Sequence, residues 1–159
     1  MLGLEGKYVA GWCMIGFQRR GGPVSGFIRF NDERIKQRDK VYYPDCIIAA
    51  EPRQLKSPQI FAGLKPAGIL ILNTIRTPKE HFHPNLELIG ALDATGIALK
   101  EIGRPLVNSC MLGALAATTN WLSLDSILSV LEARFKGKAL SSSIKCAERG
   151  FKEVNLINY

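Results

Sequence analysis

Hydrophobic residues are grouped in two different ways along the first 92 residues of the chain. Residues 7–15 are apolar and aromatic, and residues 24–30 alternate so as to give a strand with unequal faces, so both segments are predicted to be strands. Residues 45–50, 68–72 and 86–92 are continuous apolar runs bounded by turn residues. Such runs are typical of strands buried on both faces, as in a parallel sheet covered by helices.

Helical patterns lie between and after these strands. Residues 54–64 predict a short helix interrupted near Pro58, which completes a strand–helix–strand unit with the two strands beside it. Residues 95–102 and 108–119 predict two further helices. The second of these is rich in Gly and Ala, so we expect it to approach the sheet closely.

The last third of the chain is predicted to be helical. Ser123 is a good N-cap for a helix that we expect to end at Gly137, and Ser141–Ser143 are expected to cap a final helix. The predicted fold is therefore α/β: a Rossmann-like three-layer sandwich with a mostly parallel sheet and helices on both faces. The length of 159 residues fits a single domain.

The net positive charge favours anionic partners. The chain has 21 Lys and Arg residues against 14 Asp and Glu residues, a net charge of +7. Nucleic acid, a phosphorylated cofactor such as coenzyme A, and an acidic subunit are the candidates. The basic residues are scattered and form no aromatic-interleaved stripe, so no nucleic-acid partner is expected. The chain has neither a membrane-spanning apolar run nor a signal-peptide pattern, so no membrane association is expected and the predicted location is the cytoplasm.

Few residues carry recognisable chemistry. The four cysteines are widely spaced, which favours buried reduced thiols over a metal cluster. His81 and His83 could share one side of an extended segment, but no third metal ligand is evident and a surface loop is favoured. Asn73 and Thr74 follow a buried strand at its carboxyl end, where ligands bind in open α/β sheets, although ordinary turn residues are the safer interpretation. A general-base role for Glu51 has no support, and no catalytic or metal-binding residue is predicted.

Two arginines stand at the junction between the first two predicted strands, in the stretch GFQRRGGPV. Guanidinium groups bind phosphates and carboxylates in a forked geometry, and glycines allow a backbone to approach a ligand closely. These residue types therefore point to a phosphate or to a carboxylate on a partner. A solvated turn or a salt bridge to a neighbouring acid is the alternative for the arginines. For Asn108, at the start of a predicted helix, N-capping is the alternative to a ligand contact.

Six blocks of the chain, in order, resemble the gamma subunit or gamma-type domain of the 2-oxoacid:ferredoxin oxidoreductases. The family includes enzymes of the pyruvate, 2-oxoisovalerate, 2-oxoglutarate, indolepyruvate and phenylglyoxylate type. The block at residues 17–24 (FQRRGGPV) resembles the family pattern F-x-x-R-R-G-x-x-V, with one residue in place of two between the phenylalanine and the arginines. The other blocks are residues 5–9 (EGKYV), 28–35 (IRFNDERI), 44–52 (PDCIIAAEP), 64–73 (LKPAGILILN) and 108–117 (NSCMLGALAA). The resemblance covers nearly the whole chain.

The resemblance implies a subunit of an enzyme that oxidatively decarboxylates a 2-oxoacid such as pyruvate to an acyl-CoA, as in pyruvate synthase and anaerobic metabolism. The complex would use thiamine diphosphate with magnesium, [4Fe-4S] clusters and coenzyme A, and would pass electrons to ferredoxin or another acceptor. The partners implied are alpha, beta and delta subunits. The gamma part would hold neither thiamine nor a cluster, and would supply subunit contacts and help to hold coenzyme A. The coenzyme A-binding or subunit-interface residues that the resemblance implies are Gln18, Arg19, Arg20, Gly21, Gly22 and Asn108.

One departure from the family pattern leaves alternative functions open. Family members begin with a strand and a G-G-Q-G-type loop, which are lacking here, so an N-terminally shortened gamma-type domain spanning residues 1–159 is expected. A sheet lacking that strand would need another chain to shield its edge. The alternatives are a stand-alone α/β module that binds a nucleotide or coenzyme A, and a non-catalytic relative that serves only assembly.

Overall fold

The computed structural model describes residues 1–15, 24–37, 39–76 and 82–158. Its residues fall into two compact units, an N-terminal unit of Met1–Tyr42 and a C-terminal unit of Tyr43–Tyr159. The assignment of the whole chain to one gamma-type domain stays a prediction.

The N-terminal unit contains a β-hairpin. Strands β1 (Tyr8–Ile15) and β2 (Val24–Asn31) pair in antiparallel register, with Tyr8 opposite Asn31 and Ile15 opposite Val24. On one face of the hairpin, the rings of Trp12 and Phe27 stack with centroids 6.0 Å apart. Both strands were predicted from the sequence, because apolar and β-branched residues fit a pleated, partly buried surface.

The C-terminal unit is built on a four-stranded sheet. Strands β3 (Cys46–Ala49), β4 (Gly68–Asn73) and β5 (Leu86–Leu92) run parallel in that spatial order. Strand β4 is buried on both faces, and the side chains of Leu70 and Ile71 are fully covered. The predicted α/β class with a mostly parallel sheet is confirmed.

Four helices follow β5, and three of them contact one another on one face of the sheet. Helices α1 (Ala94–Ile102), α2 (Asn108–Thr119) and α4 (Gly137–Glu153) cover Ile71 and Leu92, and α3 (Leu124–Arg134) packs against α4. Helix α2 has the predicted bounds.

The opposite face of the sheet is covered by short 3₁₀ helices at Pro52–Lys56 and Pro58–Phe61. The interruption predicted near Pro58 is confirmed, but the single helix predicted over residues 54–64 is two 3₁₀ helices with other bounds. The physical reason is that each proline lacks an N–H donor and begins its own turn, while Ser57 between them has extended backbone angles. These turns still perform the expected covering role, since Phe61 and Leu64 pack against Leu70 and Ile89.

The predicted ends of the last two helices are also wrong. Helix α3 ends at Arg134 with Phe135 as its C-cap, and Gly137, with a φ of 57°, begins α4. Ser141–Ser143 therefore lie inside a helix and do not cap one. Ser142 and Ser143 are buried, and small residues recur along the same helix at Cys146, Ala147 and Gly150.

Close packing of α2 against α4 explains these small residues. A Cβ at Gly113 would overlap the carbonyl oxygen of Ala147, and a Cβ at Gly150 would overlap the carbonyl oxygen of Cys110. The sequence led us to expect close approach between α2 and the sheet. That contact occurs where Thr118 faces Gly90 of β5, whereas Gly113 faces α4.

Strand β6 (Asn155–Asn158) was missed from the sequence. It follows α4 directly and pairs antiparallel with β5, with Asn155 opposite Ala91 and Asn158 opposite Leu88. Four residues containing two asparagines carry little strand signal of their own. The position of β6 depends on where α4 ends.

No helix in the part of the chain that the structure describes is long and apolar enough to cross a membrane.

We predict that Gly113→Ala lowers the free energy of unfolding by about 1–3 kcal/mol, because the new methyl group forces two helix backbones apart. Urea unfolding followed by circular dichroism measures the change. Gly26→Ala is the matched control, since no atom lies within 4 Å of a Cβ built there. Equal effects of the two substitutions would contradict the proposed helix contact.

Candidate functional site

The predicted phosphate-binding or interface stretch lies outside the described residues. Gln18, Arg19, Arg20, Gly21 and Gly22 belong to residues 16–23, which connect β1 to β2 in the sequence. Their predicted role stays a prediction. The sixth predicted residue, Asn108, is described.

Asn108 is the first residue of α2, and its side chain is exposed. The N-cap position is Val107, whose backbone angles are already helical, and no side chain caps this end of the helix. The N-capping interpretation of Asn108 is therefore wrong. An exposed amide at the amino end of a helix is compatible with a ligand or subunit contact, which stays a prediction.

The carboxyl ends of the parallel strands meet at one edge of the sheet, which we call the carboxyl edge. Asn73 is the last residue of β4 and is buried there. Its Nδ2 donates to the carbonyl oxygen of Ala50 at 2.9 Å and to Thr95 Oγ1 at 2.9 Å, while its Oδ1 accepts from the backbone N–H of Thr95 at 3.3 Å. One amide thus joins the end of β3 to the start of α1.

These bonds make Asn73 a structural residue, but it ends strand β4 and is buried, so its interpretation as an ordinary turn residue in a loop is wrong. Its amide is used within the fold, where an unpaired buried polar group would be costly. Thr74 is half-buried and follows Asn73 at the carboxyl edge. Its backbone N–H donates to the carbonyl oxygen of Leu92 at 2.7 Å, and its Oγ1 forms hydrogen bonds within a turn to the backbone of Arg76.

The start of α1 is held at the same edge by Asp93. This residue follows β5 directly, and its Oδ1 accepts a hydrogen bond from the backbone N–H of Gly96 at 2.7 Å. A Cβ at position 96 would overlap the Asp93 carboxylate, so glycine permits this cap. The Asp93 carboxylate also lies where the helix macrodipole favours negative charge.

Basic side chains border the carboxyl edge, and sequence reasoning missed them as a group. Arg53 and Lys56 follow β3, Arg76 follows β4, and all three are exposed. Since Ala50 and Asn73 are joined by a hydrogen bond, the chain leaves β3 and β4 at neighbouring points. The signal available in the sequence was the position of these residues directly after two buried strands, where open α/β sheets bind ligands. The exposed carboxylates of Glu51 and Asp93 lie at the same edge, so its described charged side chains comprise three cations and two anions.

His83 makes contacts within the fold. Its ring stacks on Phe61 with centroids 5.8 Å apart, and its Nδ1 accepts a hydrogen bond from the backbone N–H of Asn85 at 3.2 Å. His81 lies outside the described residues. Among residues 1–15, 24–37, 39–76 and 82–158, no three His, Cys, Asp or Glu side chains come together as a metal site. Glu51 is exposed at the carboxyl edge.

Of the four cysteine thiols, one is exposed and three are at least partly buried. Cys110 and Cys146 are fully buried between α2 and α4, and burial raises the pKa of each thiol. Burial, with a smaller contribution from the Asp45 carboxylate, raises the pKa of Cys46 to about 12. These three thiols stay protonated near neutral pH and are poor nucleophiles. Cys13, on the hairpin, is exposed.

Known proteins match nearly the full length of the chain. Residues 1–153 match the family model described as pyruvate ferredoxin/flavodoxin oxidoreductase. The gamma subunit of the NADH-dependent phenylglyoxylate dehydrogenase of Aromatoleum evansii is 41% identical over 152 residues, covering 94% of this chain and 80% of that subunit. The pyruvate synthase subunit PorC of Methanothermobacter marburgensis is 37% identical over 150 residues, covering 94% and 82%.

Solved structures give the same picture. The crystal structure of the pyruvate oxidoreductase subunit PORC of Thermotoga maritima superposes with a TM-score of 0.84 at 33% identity, covering 98% of this chain and 84% of that one. A keto/oxoacid ferredoxin oxidoreductase gamma subunit of Geobacter sulfurreducens, at 21% identity and a TM-score of 0.70, shares the fold.

We predict that Asn73→Ala lowers the free energy of unfolding by about 1–3 kcal/mol, because the partly buried hydrogen bonds to the backbones of Ala50 and Thr95 are lost. Urea unfolding measures this change. Asn155→Ala, at an exposed asparagine of β6, is the control and should change stability by less than about 0.5 kcal/mol. An unchanged stability of the Asn73 variant would contradict the linking role.

Proposed function

The chain belongs to the pyruvate ferredoxin/flavodoxin oxidoreductase family, and we propose that it acts as the gamma subunit of a multi-subunit enzyme that oxidatively decarboxylates a 2-oxoacid to an acyl-CoA. The resemblance to gamma subunits drawn from the sequence is confirmed. The observation that carries the proposal is that relatives named as gamma or PorC subunits of oxidoreductases align with 94% of this chain.

The proposed contribution of this chain is to bind and to position, with the electron transfer and bond cleavage occurring on other subunits. The partners we propose are alpha, beta and delta-type chains that carry thiamine diphosphate with magnesium and [4Fe-4S] clusters, and ferredoxin or another electron acceptor. The thiols of Cys46, Cys110 and Cys146 have raised pKa values, which disfavours their use as thiolate ligands of a cluster. The cytoplasmic location stays a prediction.

We propose the carboxyl edge as the part of the C-terminal unit that receives the phosphate groups of coenzyme A. The support is its exposed basic border of Arg53, Lys56 and Arg76, next to two strands that end together. Arginine binds phosphate in a forked geometry, whereas lysine offers a compact positive charge. Asn73 would keep this edge rigid without touching the ligand. Gln18, Arg19, Arg20, Gly21, Gly22 and Asn108 remain proposed as further coenzyme A or interface contacts.

The function is tested by purifying the tagged chain from its own host without oxygen. The eluate is assayed for reduction of a viologen dye that depends on both a 2-oxoacid and coenzyme A. We expect larger chains to co-elute and dye reduction to require both substrates, and the preferred acid would identify the enzyme. A lone chain without activity would overturn the proposal.

We predict that the double substitution Arg53→Ser and Lys56→Ser raises the KM for coenzyme A about three- to tenfold, as the loss of two solvent-exposed ion pairs implies. The KM for the 2-oxoacid should stay unchanged, and the effect should shrink as salt is added. Steady-state kinetics of the purified complex measures both constants.

Lys136→Ser with Lys138→Ser is the control for the effect of net charge. These lysines are exposed at the junction of α3 and α4, and their removal changes the net charge by the same amount. Equal changes in the KM for coenzyme A in the two double variants would place the effect in the overall field of the protein and would contradict a local phosphate site.

A further inference from the structure

Two cysteines meet across the contact between α2 and α4. Cys110 lies in the first turn of α2 and Cys146 lies in the second half of α4, and both are fully buried in the same apolar cluster. Their thiols form a hydrogen bond with each other. Two oxidisable sulfur atoms, far apart in the sequence, are thus held side by side in the interior of the C-terminal unit.

The helix backbones at this contact are close enough for a covalent link. A Cβ built on Gly150 would lie only 2.9 Å from the Cα of Cys110. One turn away, a Cβ on Gly113 would overlap the carbonyl oxygen of Ala147, the residue that follows Cys146. A disulfide needs Cα atoms within about 7 Å and side chains directed at each other. The contact supplies backbones that touch at glycines and thiols that already bond to each other.

The surroundings of the two thiols differ and indicate which sulfur reacts first. Burial raises the pKa of both thiols, and their mutual hydrogen bond raises the pKa of Cys110 further while it lowers that of Cys146. The Arg149 guanidinium lowers both pKa values, and the Glu101 carboxylate raises that of Cys146. Because the hydrogen bond favours the ionised form at Cys146, this thiol is the better placed of the two to act as the thiolate, which is the reactive form.

We propose that Cys110 and Cys146 form a dithiol site that a hydroperoxide oxidises to a disulfide, which joins α2 covalently to α4. With hydrogen peroxide, the Cys146 thiolate attacks one oxygen, the O–O bond breaks, and a sulfenic acid forms as hydroxide leaves. The hydroxide takes up the proton that Cys146 lost and becomes water. The Cys110 sulfur then attacks the sulfenic sulfur, and the departing hydroxide and the Cys110 proton form a second water.

Access to this site depends on a local opening of the fold. Both thiols are fully covered, so in the closed fold the oxidant does not reach them and they stay reduced. Local separation of helices occurs in folded proteins at a free energy below that of global unfolding. Once formed, the disulfide opposes that separation, because it closes a loop containing α3 and restricts the unfolded chain. This inference is independent of the proposed function.

Oxidation of the purified full chain tests the site. The Cys13→Ser variant, which lacks the exposed thiol and so avoids links between chains through it, is treated with hydrogen peroxide under native conditions. Mass spectrometry without reduction should show one linked pair of peptides, containing Cys110 and Cys146, that dithiothreitol separates. Cys46 is the internal control, since its thiol bonds to the carbonyl oxygen of Ile47 at 3.8 Å and should form no link.

Thermal unfolding of the same samples measures what the bond does to the fold. Circular dichroism of the helices is the readout, because all described α-helices lie in the C-terminal unit. We expect the oxidised chain to unfold about 5–15 °C above the reduced chain. Adding Cys146→Ala to the Cys13→Ser variant should abolish this gain. Reduction of the oxidised sample with dithiothreitol requires no substitution in the packed contact and should also reverse it.

Each alternative result contradicts a stated part of the proposal. If Cys110 and Cys146 remain unlinked after Cys46 has been oxidised, the two thiols only fill space and the site is overturned. Oxidation of Cys146 to a sulfinic acid without a link would overturn the role of Cys110 as its partner. A link that lowers the unfolding temperature would overturn the stabilising effect. The assay of the enzyme complex uses none of these measurements, so the proposed function and this site succeed or fail separately.

Discussion

The close approach of α2 to α4 is the constraint on which the C-terminal unit depends. Two backbones meet at Gly113 and Gly150, where no side chain can be accommodated, and the thiols of Cys110 and Cys146 fill the space beside them. This contact lets both helices cover Ile71 of the central strand. Helix α4 ends at Glu153, and the chain continues as β6 beside β5. Small residues are required here because interiors are packed at crystal-like density.

The two faces of the sheet are covered in different ways. Long helices cover one face, and two proline-initiated 3₁₀ turns cover the other. The short turns place Arg53 and Lys56 on the surface next to the carboxyl ends of the strands. At the same edge, the buried amide of Asn73 links β3, β4 and α1. An edge held by these hydrogen bonds and bordered by exposed cationic side chains suits the proposed binding of an anionic group, since preorganised backbone limits the entropy lost on binding.

The hairpin of the N-terminal unit has two unlike faces. Its hairpin has one face covered by Arg29, Trp12 and Phe27, and one face with exposed aliphatic side chains. A subunit of a larger enzyme can carry such a surface, because its final environment includes other chains.

The sequence by itself determined the order and type of most elements. Continuous apolar runs identified the parallel strands, since a strand buried on both faces has no polar positions, and Ser123 was correctly predicted as the N-cap of α3. The motif blocks also identified the family, because their order and spacing are preserved over nearly the whole chain. These properties are local or linear, so they can be read without knowing which elements touch.

Only the tertiary structure decided the features that depend on contacts between distant residues. Ser142 and Ser143 resemble helix caps in the sequence, but they are buried within α4, where small side chains permit close helix packing. Asn73 resembles a loop residue, but its partners lie 22 and 23 residues away. Strand β6 has weak propensity and forms because α4 delivers it to the open edge of β5. The basic border of the carboxyl edge likewise exists only because β3 and β4 are neighbours in the sheet. That arrangement is determined by hydrogen bonding between the strands and not by a pattern along the chain.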